Sequence, residues 1–299
     1  MSRPFRMLLA LSLKGNTSAE LDLALPMARI LATELRLLHV VPDPVAIYSE
    51  FAGTDLDEVD RAVMDAVVDA RGHLEALSAR AREAGVATDV EVRRGDVRAC
   101  LVEAANDYDA AIVAIHPGEH GAAEQVVLGT TSRHLLHHLD VPVLLLRRPP
   151  YALPDPQEIV VPVDPLGPRY QPDSDTVGAL ALGLPGRIHF VSVLSESDLL
   201  RGRAREFCHA AARSRLEGLL QRLSGFAPRV GTMPLGEVVY ASKASEGILR
   251  YVWATSASLV CLRTHGHRST ARAILGSVCD AVATRAPCSV LAFPGQGEH

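Results

Sequence analysis

The chain has 299 residues, 48% of them hydrophobic and 22% charged, the make-up of a globular protein with room for two domains of about 150 residues each. Its formal net charge of -5 gives no overall attraction to nucleic acid or to an anionic membrane surface. No apolar run approaches the length of about 20 residues that crosses a bilayer, and five scattered cysteines without a CxxC pair point to free thiols in a reducing compartment, the cytoplasm.

In chain order, "MLLALSL" follows Arg3 and Arg6 but runs straight into Lys14 and Gly15, which favours a first core strand over a secretory leader. Short β-branched apolar runs then alternate with longer Ala- and Leu-rich segments at helical spacing, the pattern of βαβ units. Strands are predicted at 6–12, 36–41, 88–93, 110–115 and 142–146, with helices at 18–34, 57–84, 97–106 and 128–138. "RRPPYALPDP", 147–156, carries four prolines that withhold backbone donors and hold the chain extended as a linker. Beyond it the order repeats: strands at 158–163, 187–193, 236–240, 257–262 and 289–293, and helices at 174–183, 203–223, 244–254 and 275–285.

The repeat is direct as well as schematic. Residues 110–146 lie over residues 257–293 without a gap, at a constant offset of 147, and Leu128-Gly129-Thr130 falls on Leu275-Gly276-Ser277. So long a match indicates duplication of one domain, giving domains at 1–148 and 157–299, rather than an array of small units.

The β-α-β-α-β-α-β-α-β order, "THG" after the fourth strand of the second half, "LGS" opening its last helix and "APCSVL" leading into its fifth strand resemble the universal stress protein family, here as a tandem. The resemblance implies two α/β domains, each a doubly wound, five-stranded parallel sheet of the adenine nucleotide alpha hydrolase-like kind, with any nucleotide at the carboxyl ends of the strands. Open parallel sheets collect ligands there on independent grounds, at the switch in strand order, where helix amides offer partial positive charge to phosphate. ATP-binding members carry Gly, two residues, Gly, nine residues, Gly and Ser or Thr, together with an Asp ending the first strand. Glycine suits such a loop because a missing Cβ admits close backbone approach and positive φ.

Carried onto this sequence, the second domain keeps Gly266, Gly276 and Ser277 at the family spacing, and Asp164 takes the place of the acid that holds the adenosine end. Val193 falls where members touch adenine through the backbone. The amide of Val278 joins the phosphate seat, and Thr264 and His265 lie in the same loop. Arg263 replaces the first glycine, where it either crowds the ribose and phosphates or swings out and pairs with them. The same loop holds His265, His267, Arg268 and Arg272, a basic cluster read either as an anion seat or as a solvated loop. In the first domain His116 and Glu119 stand at the loop-glycine positions and Ser12 at the acid, so its site is expected to be degenerate.

Other chemistry finds little support. "RHLLHH" puts His134 and His138 at i, i+4 without an evident third ligand, the reading of a surface or interface helix rather than a metal site. GxSxG, GxxxxGK[ST] and GxGxxG motifs are all absent. The expectation is a cytoplasmic stress-response factor that binds ATP or a related adenine nucleotide in its second domain, with Mg²⁺ accompanying the triphosphate and without efficient catalysis. No nucleic-acid or membrane partner is expected, the two domains are expected to pack as a pseudo-dimer, and a homodimer is allowed. The alternative is a nucleotide-free interaction protein of the same fold.

Overall fold

A computed structural model describes residues 5–30, 34–43, 56–118, 128–164, 186–196, 205–223, 234–264 and 275–294. They form two compact units, the first built on Met1–Pro117 and Gly129–Leu146, the second on Gly118–Leu128 and Arg147–His299.

In the first unit, β1 (Arg6–Ala10), α1 (Thr17–Ile30), β2 (Glu34–Val41), α2 (Leu56–Glu83), β3 (Thr88–Arg94), α3 (Val97–Asp107), β4 (Ile112–Ile115), α4 (Thr130–His138) and β5 (Val143–Leu145) follow one another. The strands are all parallel, in the order β3-β2-β1-β4-β5. Met7, Leu8 and Leu9 have no exposure at all, because helices cover both faces of a parallel sheet and a central strand must be apolar throughout. Two of its helices begin at a side-chain cap. Asn16 Oδ1 accepts from Ala19 N at 3.0 Å before α1, and Asp96 Oδ1 accepts from Ala99 N at 2.9 Å before α3.

The second unit repeats this with β6 (Gln157–Val163), β7 (Gly186–Ser195), α5 (Arg205–Leu223), β8 (Leu235–Ala241), α6 (Ala244–Thr255), β9 (Leu259–Arg263), α7 (Ser277–Arg285) and β10 (Ser289–Phe293). Here the order is β8-β7-β6-β9-β10, again parallel throughout. The helix expected at 174–183 lies outside the described residues. Strands expected to start at 110 and 257 begin two residues later for one shared reason. Asp109 and Ser256, which are 147 apart, take left-handed backbone at φ 52° and 51°, and each turn closes with an amide bonded back to the preceding helix.

All five cysteines are free and buried. Burial pushes the thiols of Cys261 and Cys288 up to about 12, since a thiolate has no water to stabilise it there.

Candidate functional site

The chain order of the strands reverses direction at β6 and β9 in the second unit, and at β1 and β4 in the first. β6 pairs with β9 through Ile159 opposite Leu259 and Val160 opposite Val260, so the residues that follow the two strands emerge side by side. Asp164 is exposed directly after β6, and its carbonyl accepts from Arg215 Nη1 of α5 at 3.4 Å. Arg263 ends β9 opposite Phe293 and is half-buried, and Thr264 follows it with only 2% exposure.

Two backbone bonds fix the base of the loop. Thr264 N donates to Phe293 O at 2.8 Å, and Gly276 N donates to Thr264 O at 2.7 Å, so the chain leaves and re-enters the site at one point. Gly276 is the N-cap of α7, and no side chain caps the helix. The first intrahelical bond runs from Asp280 N to Gly276 O at 2.9 Å. The amides of Ser277, Val278 and Cys279 therefore have no acceptor within the helix, and Ser277 and Val278 are exposed. His265 and Gly266 lie outside the described residues, as do His267, Arg268 and Arg272.

The structure corrects the reason for glycine at the helix start. Gly276 has φ -61° and its first-unit counterpart Gly129 has φ -62°, ordinary extended backbone for any residue. What excludes a side chain at Gly129 is crowding: a Cβ there would sit 2.9 Å from Pro117 O, the carbonyl to which Gly129 N donates at 3.0 Å. Pro117 and Thr264 are themselves 147 apart, so the loop-closing bond is common to both units.

Val193 is buried in β7, and its side chain belongs to the core. A Cβ added to Gly247 of α6 would fall 2.6 Å from Val193 Cγ1, so glycine lets that helix lie close on the strand. In the first unit, Ser12 follows β1 with exposed surface, His39 Nδ1 donates to Leu11 O at 2.8 Å, and His116 is half-buried after β4. Glu119 lies outside the described residues.

A cleft of about 440 Å³ that sequence reading missed opens at the carboxyl ends of β7 and β8. Leu194, Tyr240 and Ala241 line it together with Arg205, Glu196, Glu246 and Arg250. The Arg205 guanidinium lies 4.2 Å over the Tyr240 ring, Arg250 Nη2 donates to Tyr240 O at 2.6 Å, and His209 Nδ1 is 2.6 Å from the Tyr240 hydroxyl. The i, i+4 placing of Glu246 and Arg250 is readable in sequence, but no local signal brings Tyr240 and Arg205 to them.

At the opposite, amino-terminal end of the same sheet, His189 Nε2 bonds Glu158 Oε2 at 2.6 Å while its Nδ1 lies 2.8 Å from the Tyr251 hydroxyl. All three groups are wholly or largely buried, so a neutral imidazole donating to the carboxylate and accepting from the phenol satisfies each of them. His134 and His138 stack with ring centroids 3.9 Å apart, and His138 Nδ1 donates to His134 O at 2.8 Å. Burial, and then the neighbouring His138, hold His134 below the ordinary imidazole range. Among the described residues no group of three or more His, Cys, Asp or Glu side chains is arranged to hold a metal ion.

The family model described as "Universal stress protein family" matches residues 6–147 and again 157–294. Universal stress protein Rv2005c of Mycobacterium tuberculosis is 28% identical over 195 residues, which cover 64% of this chain and 64% of that protein, less than two thirds of its length. Two solved structures have the same fold over almost the whole chain. A universal stress protein from Archaeoglobus fulgidus superposes with a TM-score of 0.68 at 18% identity, covering 98% of this chain and 97% of its own. A putative universal stress protein from Pseudomonas aeruginosa UCBPP-PA14 gives 0.66 at 15% identity, covering 97% and 92%. Two matched segments on two parallel α/β units leave one assignment: this chain belongs to the universal stress protein family, as a tandem of two such domains.

Proposed function

We propose that this protein is a stress-response factor whose second unit binds ATP or a related adenine nucleotide, and that it acts by binding rather than by efficient catalysis. Family membership supports the stress-response role. The nucleotide reading rests on one observation: Asp164 and the uncapped start of α7 stand at the ends of neighbouring strands, at the switch in strand order. In this reading Asp164 accepts hydrogen bonds from the adenosine end and the backbone beside Val193 meets the base. Gly266, Gly276, Ser277 and the Val278 amide hold phosphate. Thr264 anchors the loop base, and His265 and Arg263 add charge-assisted contacts. Mg²⁺ arrives with the triphosphate, and Asp164 and Ser277 are the oxygen donors this unit offers it.

The cytoplasm is the proposed location, consistent with five unpaired thiols. No helix among the described residues is long and apolar enough to cross a membrane.

Calorimetric titration of ATP tests the reading. The unmodified protein is expected to release heat, Gly276→Asp to release none because a carboxylate faces the phosphates, and Gly129→Asp to release the same heat as the unmodified protein, although its side chain crowds Pro117 O and lowers the stability of the first unit. Equal heats from all three, or none from any, would return the second unit to the alternative of a nucleotide-free interaction domain.

A further inference from the structure

In the first unit the arginines on and beside β3 are neutralised by acids. Arg36 reaches Asp89 at 2.6 Å and Glu91 at 3.0 Å, Arg93 reaches Asp107 at 2.7 Å, and Arg94 reaches Asp60 at 2.6 Å and Asp43 at 2.9 Å. Arg205 and Arg250, beside β8 of the second unit, are arranged otherwise. Among the described residues neither has a carboxylate within ion-pair distance, and a single tyrosine holds both.

Tyr240 does so with different parts of itself. Its ring takes the Arg205 guanidinium at 4.2 Å, its carbonyl accepts from Arg250 Nη2 at 2.6 Å, and its hydroxyl is fixed 2.6 Å from His209 Nδ1. The ring packs with Leu194, Cys208 and Ala212 on the α5 side, while Arg250 comes from α6 on the other face. Two guanidiniums thus arrive from opposite faces of the strand and line one cleft of about 440 Å³, a volume in the range of about 300–1,000 Å³ that suits small ligands. The ring contact engages the charge of Arg205 and leaves its N–H donors available, and Arg250 spends Nη2 on the carbonyl and keeps the rest of its fork. Both side chains are held in place beforehand, so a ligand has less rotamer freedom to freeze.

We propose that this cleft binds a small organic phosphate monoester, its phosphate on Arg205 and Arg250 and its body against Leu194 and Ala241. One fork already fills the two oxygens of a carboxylate. A second fork suits a phosphate monoester, which brings three acceptor oxygens and a charge of about -1.5 to -2 at neutral pH. The acids of the lining do not cancel the two cations. Glu246 Oε2 accepts from Ser242 Oγ at 2.5 Å and its Oε1 lies 4.0 Å from Lys243 Nζ, while Glu196 is exposed, where water and salt screen its repulsion. The cleft is also separate from the nucleotide seat proposed above. Val193 meets Gly247 of α6, the next residue Leu194 turns to the α5 side, and Asp164, Gly276 and Ser277 take no part in the lining. The proposal therefore stands whether or not the second unit binds ATP.

Calorimetric titration of the full chain with phenyl phosphate tests it, with inorganic phosphate and benzoate as the two partial probes. Phenyl phosphate is expected to bind about tenfold more tightly than either, because inorganic phosphate lacks the body and benzoate the third oxygen. Arg205→Gln and Arg250→Gln should each weaken phenyl phosphate by about tenfold, and Arg205→Lys, which keeps the charge without the fork, should weaken it as well. Both arginines are exposed, and thermal melts of the variants check that the fold is kept. Gly276→Asp should leave phenyl phosphate binding as it is, whatever it does to ATP. Absence of binding, equal affinity for phenyl and inorganic phosphate, or binding as tight for benzoate overturns the proposal. So does phenyl phosphate binding that survives both Gln variants, or that Gly276→Asp abolishes, since either result places the anion outside the cleft.

Discussion

The first strand pair of each unit opens on an ion pair in the same register, with its polarity reversed. Arg6 of β1 stands opposite Glu34 of β2 at 3.4 Å, and Glu158 of β6 stands opposite Arg187 of β7 at 3.4 Å. The surroundings differ more than the pair does. Arg6 and Glu34 keep 35% and 47% of their side-chain surface in water, whereas the Glu158 side chain keeps 11% and takes a second, buried partner in His189. Duplication preserved the need for opposite charges at this point of the sheet, and each copy then settled which strand carries the acid. One copy left both partners wet, where the pair contributes little, and the other buried the acid beside His189 while Arg187 keeps 43% of its side-chain surface in water.

Breaking that contrast should give the largest effect. His189→Ala strips Glu158 of its buried donor and leaves the Tyr251 hydroxyl without its partner, and urea denaturation should show a loss of about 2–4 kcal/mol. Arg6→Ala, at the equivalent wet pair, should cost no more than about 1 kcal/mol. Similar losses at the two sites would mean that the buried network is not coupled.

Alkaline pH tests the second unit next. Cys261 and Cys288, both in the second unit, have thiols raised by burial from 9.0 to about 12. A raised folded value means that the native state holds protons the unfolded chain gives up. The contribution is thus complete below about pH 9 and is lost as pH climbs towards 12. Each thiol accounts for up to about 1.4 kcal/mol per pH unit within that window. Melting temperature should fall between about pH 8.5 and pH 10.5, and the double substitution Cys261→Ala, Cys288→Ala should flatten the slope even if it lowers the starting value. An unchanged slope would place the alkaline sensitivity elsewhere.

The loop base offers a smaller test. Gly129→Ala drives a Cβ to within 2.9 Å of Pro117 O, a backbone atom that cannot swing aside, and should cost about 1–3 kcal/mol in a denaturant titration. Because the clash lies in the first unit, the ATP heat proposed for the second should survive it. Smallest are the helix starts that follow β3 and β8. α3 has the Asp96 cap, while α6 begins at Lys243 with no side-chain cap. Asp96→Ala should lower stability by about 1 kcal/mol, and Lys243→Ser should raise it by about 0.5 kcal/mol, with the two shifts in melting temperature opposite in sign.

Much of this molecule was legible in one dimension. The alternation of apolar runs with helical segments fixes five parallel strands in each unit, because both patterns are local and a crossover helix forces its flanking strands to run the same way. The constant offset of 147 located Gly129 beneath Gly276, and the left-handed residues at 109 and 256 and the carbonyls at 117 and 264 fall at that same offset. For the candidate site, resemblance to the family named Asp164, Gly276, Ser277 and Val278, and the described backbone brings the two segments to neighbouring strand ends.

What only the tertiary structure decided depends on residues far apart in the chain meeting at one point. That Gly129 is a matter of crowding and not of positive φ follows from where Pro117 O lies. That His189 sits between Glu158 and Tyr251, and that Tyr240 gathers Arg205, His209 and Arg250, follows from strand register and helix placement, which no window of sequence contains. Sequence determined the elements and their duplication because hydrogen bonding and burial periodicity act over a few residues. Structure decided the partners because side-chain contacts across a sheet are set by the pairing of strands that lie dozens of residues apart.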